Sequence, residues 1–296
     1  MPDLRLAIQA QVRQLMGPGP AAEAPDPGDD VGLFGPDAAC WRVHGDFTSM
    51  MVGGVSALLL QMLHPGALAG VWDHSNFRQD MTGRLRRTAQ FISGTTYGST
   101  LKATSLIDRV RSIHDRVSGL LADGTAYSAN DPDLLTWVHV AEVSSFLRAF
   151  VRHRDPTFSP ADQDRYFDEV AVIAERLGAV SVPRSRAQVQ AYFAAVQPQL
   201  RCDARTVEVA AALLNPPLSS PAAAAASRLV FRAAQDLLPS WAAQMHGFRA
   251  APARGPAIRL GVQGMGTALR WALPNGTEAR ARRRAAEILS APAMQL

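Results

Sequence analysis

The segment from Met50 to Leu63 (MMVGGVSALLLQML) is apolar nearly all the way round. A helix of that kind cannot lie on a surface and needs protein on every side. At fourteen residues it is shorter than the roughly 20 that a membrane-spanning helix needs. It therefore reads as a core helix, and 296 residues are enough chain to enclose one. Gly53-Gly54 in its first half lets another backbone, or a flat ligand, come close. The segment runs into His64-Pro65.

The surrounding sequence is patterned for helices. Apolar residues recur at steps of three and four over 66–73, 82–96, 100–122, 131–154, 160–177, 185–198, 203–214, 221–237, 240–246, 256–272 and 277–289. Sustained two-residue alternation and an Asn-Gly hairpin with β-branched flanks are missing. Asp131-Pro132 and Ser159-Pro160 read as helix starts, because each offers a side-chain cap followed by a proline in the first turn. The expected fold is all-α: a single multi-helix domain over 37–296, preceded at 1–36 by a short amphipathic helix (3–16) and a flexible lead-in rich in Pro, Gly and Ala.

Composition narrows the partners. Lys102 is the sole lysine among 30 basic residues. That bias reads as base composition of the gene, with a preference for planar anion recognition as the functional alternative. A net charge of +4 is small for this length. The run Arg280, Arg282, Arg283, Arg284 has no interleaved aromatics, so it reads as a solvated helix face and not as a nucleic-acid surface. Cys40 and Cys202 make neither a CxxC pair nor a disulfide framework. Residues 3–16 alternate charge and hydrophobe where a secretory signal would be apolar. With no transmembrane segment either, the expected location is cytoplasmic.

The familiar catalytic motifs are missing: HExxH, a Glu-x-x-His pair, GxSxG, a P-loop and GxGxxG. What stands out is histidine inside apolar stripes. His114 fills the gap in a stripe made by Ile107, Val110, Val117 and Leu121. It is either a core histidine satisfied by a carbonyl or a neutral imidazole free to bind a metal or haem. Arg84 and Thr88 lie one turn apart with Arg87 beside them, suited to an anionic carboxylate or to a solvated basic edge. His139 and Glu142 share a stripe with Leu135 and Phe146, and are either hydrogen-bonded to each other or functional.

Taken in order, HGDFTSMMVGGVSALLLQMLHPGALAGVWDHSNF, GRLRRTAQFI with YGS, VRSIHDRV and YSANDPDLLTWVHV, followed by DRYFDEV and DLLPSW, resemble the catalytic domain shared by latex-clearing rubber oxygenases and MpaB-type oxygenases. The resemblance covers about Trp41 to Gly247. It implies a globin-like helical core holding haem b, with O2 as co-substrate. By motif, His114 would be the proximal iron ligand, with Arg84 and Thr88 beside the haem. Arg87 stands where the rubber-cleaving branch carries a lysine able to approach the iron. An arginine stays protonated and cannot ligate. Glu142 is the candidate base, and His139 a candidate cofactor contact. The function expected is a haem b-dependent oxygenase acting on a small apolar molecule, unsaturated or isoprenoid-like. The alternative is a haem-binding or apolar-ligand-binding helical protein without turnover.

Overall fold

A computed structural model describes residues 2–16, 26, 30–216, 220–249 and 255–290. Among these, α-helices account for nearly all the regular structure. Most of the lead-in expected to be flexible, residues 17–25 and 27–29, lies outside the described residues. Asp26 is tied down: its carboxylate accepts from the Ser99 amide at 2.8 Å and pairs with Arg284.

The centre is a pair of helices, α3 (Phe47–Gln61) and α7 (Pro132–His153), which pack together more extensively than any other two elements. α3 is the apolar helix of the sequence. Asp46 caps it by accepting from the Ser49 amide. The short α2 (Ala39–Gly45) enters it at a bend of 89°. α7 begins at the expected cap, where the Asp131 side chain accepts from the amides of Asp133 and Leu134 with Pro132 in the first turn. Two levels fix the pairing. Gln61 donates to the Val138 carbonyl at 3.3 Å, and Trp137 Nε1 donates to the Gln61 carbonyl at 3.1 Å. Eight residues back along α3, Gly53 lies against Ser145 and Phe146. The two helices are therefore antiparallel.

α7 is also long and apolar enough to cross a membrane by length and composition, but most of it is buried inside the protein. Trp41, Trp137, Tyr166 and Phe77 are among the largest fully enclosed side chains. Each such burial contributes roughly 1.5–3 kcal/mol.

Around this pair stand α4 (Pro65–His74), α5 (Phe77–Tyr97), α6 (Thr100–His114), α8 (Pro160–Leu177) and α10 (Ala204–Leu214), with α9 (Arg186–Val196) behind α8. α11 (Pro221–Leu237) and α13 (Gly255–Ala272) cover α3 from the other side, joined by α12 (Ser240–Met245). α14 (Thr277–Ser290) lies against α2 and α5, and α1 (Pro2–Met16) reaches α13, where Gln9 donates to the Ala272 carbonyl at 2.7 Å.

Three elements differ from the sequence expectation. The helix expected over 100–122 stops at His114. The chain then turns into an antiparallel pair, β1 (Ser118–Leu120) and β2 (Ala126–Ser128), with Ser118 opposite Ser128. Asp123-Gly124 makes the turn, with Gly124 at φ +85° and Asp123 accepting from the Thr125 amide. α5 starts a turn early at Phe77. The backbone then breaks at Asp80 (φ −138°, ψ 55°), whose carboxylate accepts from the Gly83 amide and restarts the helix. α2 was not expected as a separate helix.

Candidate functional site

α3, α4, α5, α6, α7 and α10 surround an apolar cavity of about 300 Å³. Leu58 on α3, Val71 on α4, Met81 on α5, Val138 on α7 and Leu213 on α10 supply much of its wall. His114, His74 and Arg84 bring polar atoms to it. A concave apolar space with a few converging polar groups is the usual layout of a small-molecule site. A larger cleft of about 510 Å³ lies between α2, α7 and α13. There Arg42 pairs with Asp155 at 3.1 Å and Arg270 with Asp46 at 2.8 Å, so its charge is already spent internally.

His114 is the last residue of α6. Its helix turns Ile107 into the core and leaves the imidazole half-buried at the cavity wall. The Nδ1 atom is buried and has no hydrogen-bond partner. Burial depresses the imidazole pKa, partly offset by the neighbouring Asp115, so the ring is neutral at physiological pH. A neutral imidazole with an unpartnered nitrogen beside an apolar cavity has spare coordinating capacity. Val117, beyond the helix end, still lines the same cavity.

Arg84 faces the cavity from α5, and among the described residues its side chain hydrogen-bonds only to Ser75 Oγ, at 3.2 Å. Burial, with Arg87 nearby, lowers its pKa to about 10. A guanidinium so desolvated, with no carboxylate partner among the described residues, is a ready receptor for an anionic group. Thr88 is one turn further along α5 and back-bonds to the Arg84 carbonyl at 3.3 Å. Arg87 is placed elsewhere. It is exposed and pairs with Asp80 at 3.4 Å, so it is not brought to the cavity.

His139 and Glu142 lie deeper along α7. Leu134 and Val138 line the cavity, and Glu142 is the next position on that stripe. No hydrogen bond joins His139 to Glu142, and the His139 Nε2 is buried without a partner. Desolvation lowers the His139 pKa to about 4 and raises that of Glu142 to about 7. Of the other histidines, His153 on α7 is buried with neither ring nitrogen partnered, while the rest have structural partners. His64 Nδ1 accepts from the Gly66 amide at the start of α4, and His74 Nε2 donates to the Ser118 carbonyl at 3.1 Å.

Sequence reading overlooked two contributions. α10 closes the cavity through Val209 and Leu213, whose four-residue spacing marks an apolar face but not what it covers. His44 makes two buried contacts, Nδ1 to Thr96 Oγ1 and Nε2 to Tyr166 Oη, each 2.9 Å. No short-range signal joins residues 122 positions apart.

Among the described residues no group of three or more His, Cys, Asp or Glu is arranged to hold a metal ion. The fold is all-helical, and the cavity between its central helices is lined mostly by apolar side chains. The chain belongs to the family described as ER-bound oxygenase mpaB/B'/Rubber oxygenase, catalytic domain, which matches residues 41–271. An oxygenase family implies O2, an organic substrate and a cofactor. No match was found among curated proteins or among solved structures.

Proposed function

We propose that this protein is a haem b-dependent oxygenase, with a globin-like cofactor core, acting on a small apolar molecule that is unsaturated or isoprenoid-like. The observation that carries the reading is His114: a neutral imidazole with an unpartnered buried nitrogen, beside an apolar cavity that also receives the buried Arg84. In this reading His114 would hold the haem iron, Arg84 would pair with a haem carboxylate, and Thr88 would extend the polar edge of α5. The haem, when bound, supplies O2 activation. The apolar walls of α3, α7 and α10 hold the substrate and exclude water, which strengthens every polar interaction inside. Glu142, whose proton is held to about pH 7, is the one carboxyl on the inward continuation of the wall and is assigned as the acid–base group.

Absorption spectroscopy tests this. Purified or haemin-reconstituted protein should show a Soret band that acid–butanone extraction removes, since no CxxCH motif is present to bind haem covalently. His114→Ala should lose the band, and His139→Ala should keep it. Protein that takes up no haemin, or that loses it at position 139 and keeps it at 114, overturns the assignment. Haem uptake with no O2 consumption against any apolar olefin would favour the second reading, a haem-binding or apolar-ligand-binding protein without turnover.

A further inference from the structure

Beyond the inner end of the apolar cavity the interior becomes polar. Three helices lead there. On α7 the stripe Leu134, Val138 is continued by Glu142, about 6 Å further along the axis. On α3 the cavity residues Gln61 and Leu58 are continued by Gly54, where a Cβ would meet nothing closer than a Phe146 ring atom at 3.8 Å. On α5 the line runs from Arg84 through Thr88 and Ile92 to Thr96. Gln61 lies beside Val138 and Gly53 beside Phe146, so Glu142 lies midway between the two crossings, level with Ser56 and Ala57.

Four side chains from four elements meet at this level. His44 from α2 bridges Thr96 of α5 and Tyr166 of α8 at 2.9 Å each, and stands edge-on to Phe146 of α7 at 5.5 Å. His139 and Glu142 are electrostatically coupled to this group, His139 with His44 and Glu142 with Tyr166. His44, His139 and Glu142 each keep some accessible surface although each is deeply desolvated. Side chains with both properties border an interior void and are not in solid packing.

The hydrogen-bond account of this region does not close. His139 Nε2 is buried and unpartnered, and among the described residues the Glu142 carboxyl has no hydrogen-bond partner. Buried polar atoms in native proteins are almost always paired, so an orphaned imidazole nitrogen one turn from a bare carboxyl marks the place of a missing partner. The groups are also uncharged near neutrality: burial keeps both imidazoles deprotonated and holds a proton on Glu142 to about pH 7. The buried cation of the cavity, Arg84, is three turns away along α5, and Arg148 on α7 is engaged with the Leu237 carbonyl at 3.0 Å.

We propose that His139 and Glu142 form a second, inner subsite that takes the uncharged hydrogen-bonding head group (alcohol, aldehyde or ketone) of a ligand whose apolar chain lies in the cavity between α3, α5 and α7. The inference rests on the apolar-ligand part of the functional reading and not on haem. It names the substrate class that the cavity admits: an apolar molecule with one neutral polar end. A carboxylate or an ammonium finds no counter-ion at this level and pays the full cost of desolvation.

The test uses 1-octanol, octane, octanoate and octylammonium as probes of equal chain length, with affinity read by calorimetry and by thermal shift at pH 6, where Glu142 is still protonated and both imidazoles are neutral. The expected order places 1-octanol at least ten-fold tighter than either ion and several-fold tighter than octane. His139→Phe should bring 1-octanol to within about two-fold of octane while leaving haemin uptake in place. If His139→Phe fails to fold, Glu142→Leu makes the same test. Equal affinity of the wild type for 1-octanol and octane would mean that water alone fills the subsite, and would overturn the proposal. So would octanol selectivity that survives both substitutions. A wild type that discriminates the probes but takes up no haemin would sink the haem reading and leave this one standing.

Discussion

Gly53 on α3 passes so close to Phe146 on α7 that a Cβ at position 53 would stand 3.0 Å from the Phe146 Cα and 3.0 Å from the Ser145 carbonyl oxygen. Backbone cannot yield as a flexible side chain does, so Gly53→Ala must push the two central helices apart. The expected cost is about 1–3 kcal/mol, the usual penalty of overpacking. Gly54 is the control, since a Cβ there meets only a ring atom at 3.8 Å. Gly54→Ala should be neutral or stabilising by up to about 1 kcal/mol through helix propensity. Urea unfolding of the two variants separates them.

The buried acid and the buried bases give stability opposite pH dependences. Glu142 holds its proton to about pH 7 in the folded chain against an ordinary value of 4.5. Its contribution is complete below pH 4.5 and is lost as pH rises toward 7. His139 and His44 are depressed to about 4 and about 3 from 6.5, so theirs is complete above pH 6.5 and is lost as pH falls. Glu142→Gln should therefore remove the decline between pH 4.5 and 7, an effect on the order of 2–3 kcal/mol. It should leave the acid-side loss unchanged. Denaturant midpoints at half-unit pH steps show it. A Glu142→Gln profile that still falls between pH 4.5 and 7 would show that another group is responsible.

Much of this architecture is legible in the sequence because it is written locally. The all-round apolar helix, the Asp131-Pro132 and Ser159-Pro160 starts and the Gly53-Gly54 approach each follow from a few adjacent residues. The extension of α6 to residue 122 was misread because Val117 and Leu121 keep the helical spacing. The Asp123-Gly124 turn, the stronger hairpin signal, sets the outcome. At the cavity, the stripe through His114 and the Arg84–Thr88 spacing foretell the two groups nearest the wall. They do not foretell that Arg87, adjacent in sequence, turns to solvent and Asp80, because helical spacing alone does not show the break that Asp80 makes by capping the Gly83 amide. The cluster of His44, Thr96 and Tyr166 is invisible in one dimension, since only packing brings α2, α5 and α8 to the same level.

Asp46 holds the sharp corner between α2 and α3. One carboxylate oxygen accepts from the Ser49 amide at 2.9 Å and its hydroxyl at 2.7 Å, and the other meets Arg270 at 2.8 Å. Asp46→Ala removes a helix cap, worth about 1 kcal/mol. It also cuts the link to α13, and a total near 2 kcal/mol is expected, since the partly exposed Arg270 can turn to water. Asp46→Asn keeps an acceptor for Ser49 and should lose less than half as much. Melting temperatures of the pair give the comparison, and an Asn variant as unstable as the Ala variant would assign the corner to the ion pair instead of the cap.

Arg84 separates what stabilises the fold from what serves the ligand. Its guanidinium is enclosed at the cavity wall, keeps one hydrogen bond to a serine hydroxyl and has a pKa drawn down to about 10 by burial. Among the described residues it has no carboxylate partner. A charge held this way is unfavourable in the ligand-free protein, because desolvation is not repaid by pairing. Arg84→Met keeps the length and apolar stem of the side chain and deletes the charge. The ligand-free variant should melt at the same temperature as wild type or higher, each kcal/mol of relief raising Tm by about 2–4 °C in a chain of this size. Uptake of haemin, whose carboxylates would pair with the guanidinium, should weaken about ten-fold or more, equivalent to one charge-assisted contact of about 1.4 kcal/mol. Replacing haemin with its dimethyl ester should erase the difference between wild type and variant, since the ester carries no carboxylate. A ligand-free Arg84→Met protein that melts well below wild type would place Arg84 among the residues that hold the fold. Equal haemin affinity in the two proteins would remove it from the site.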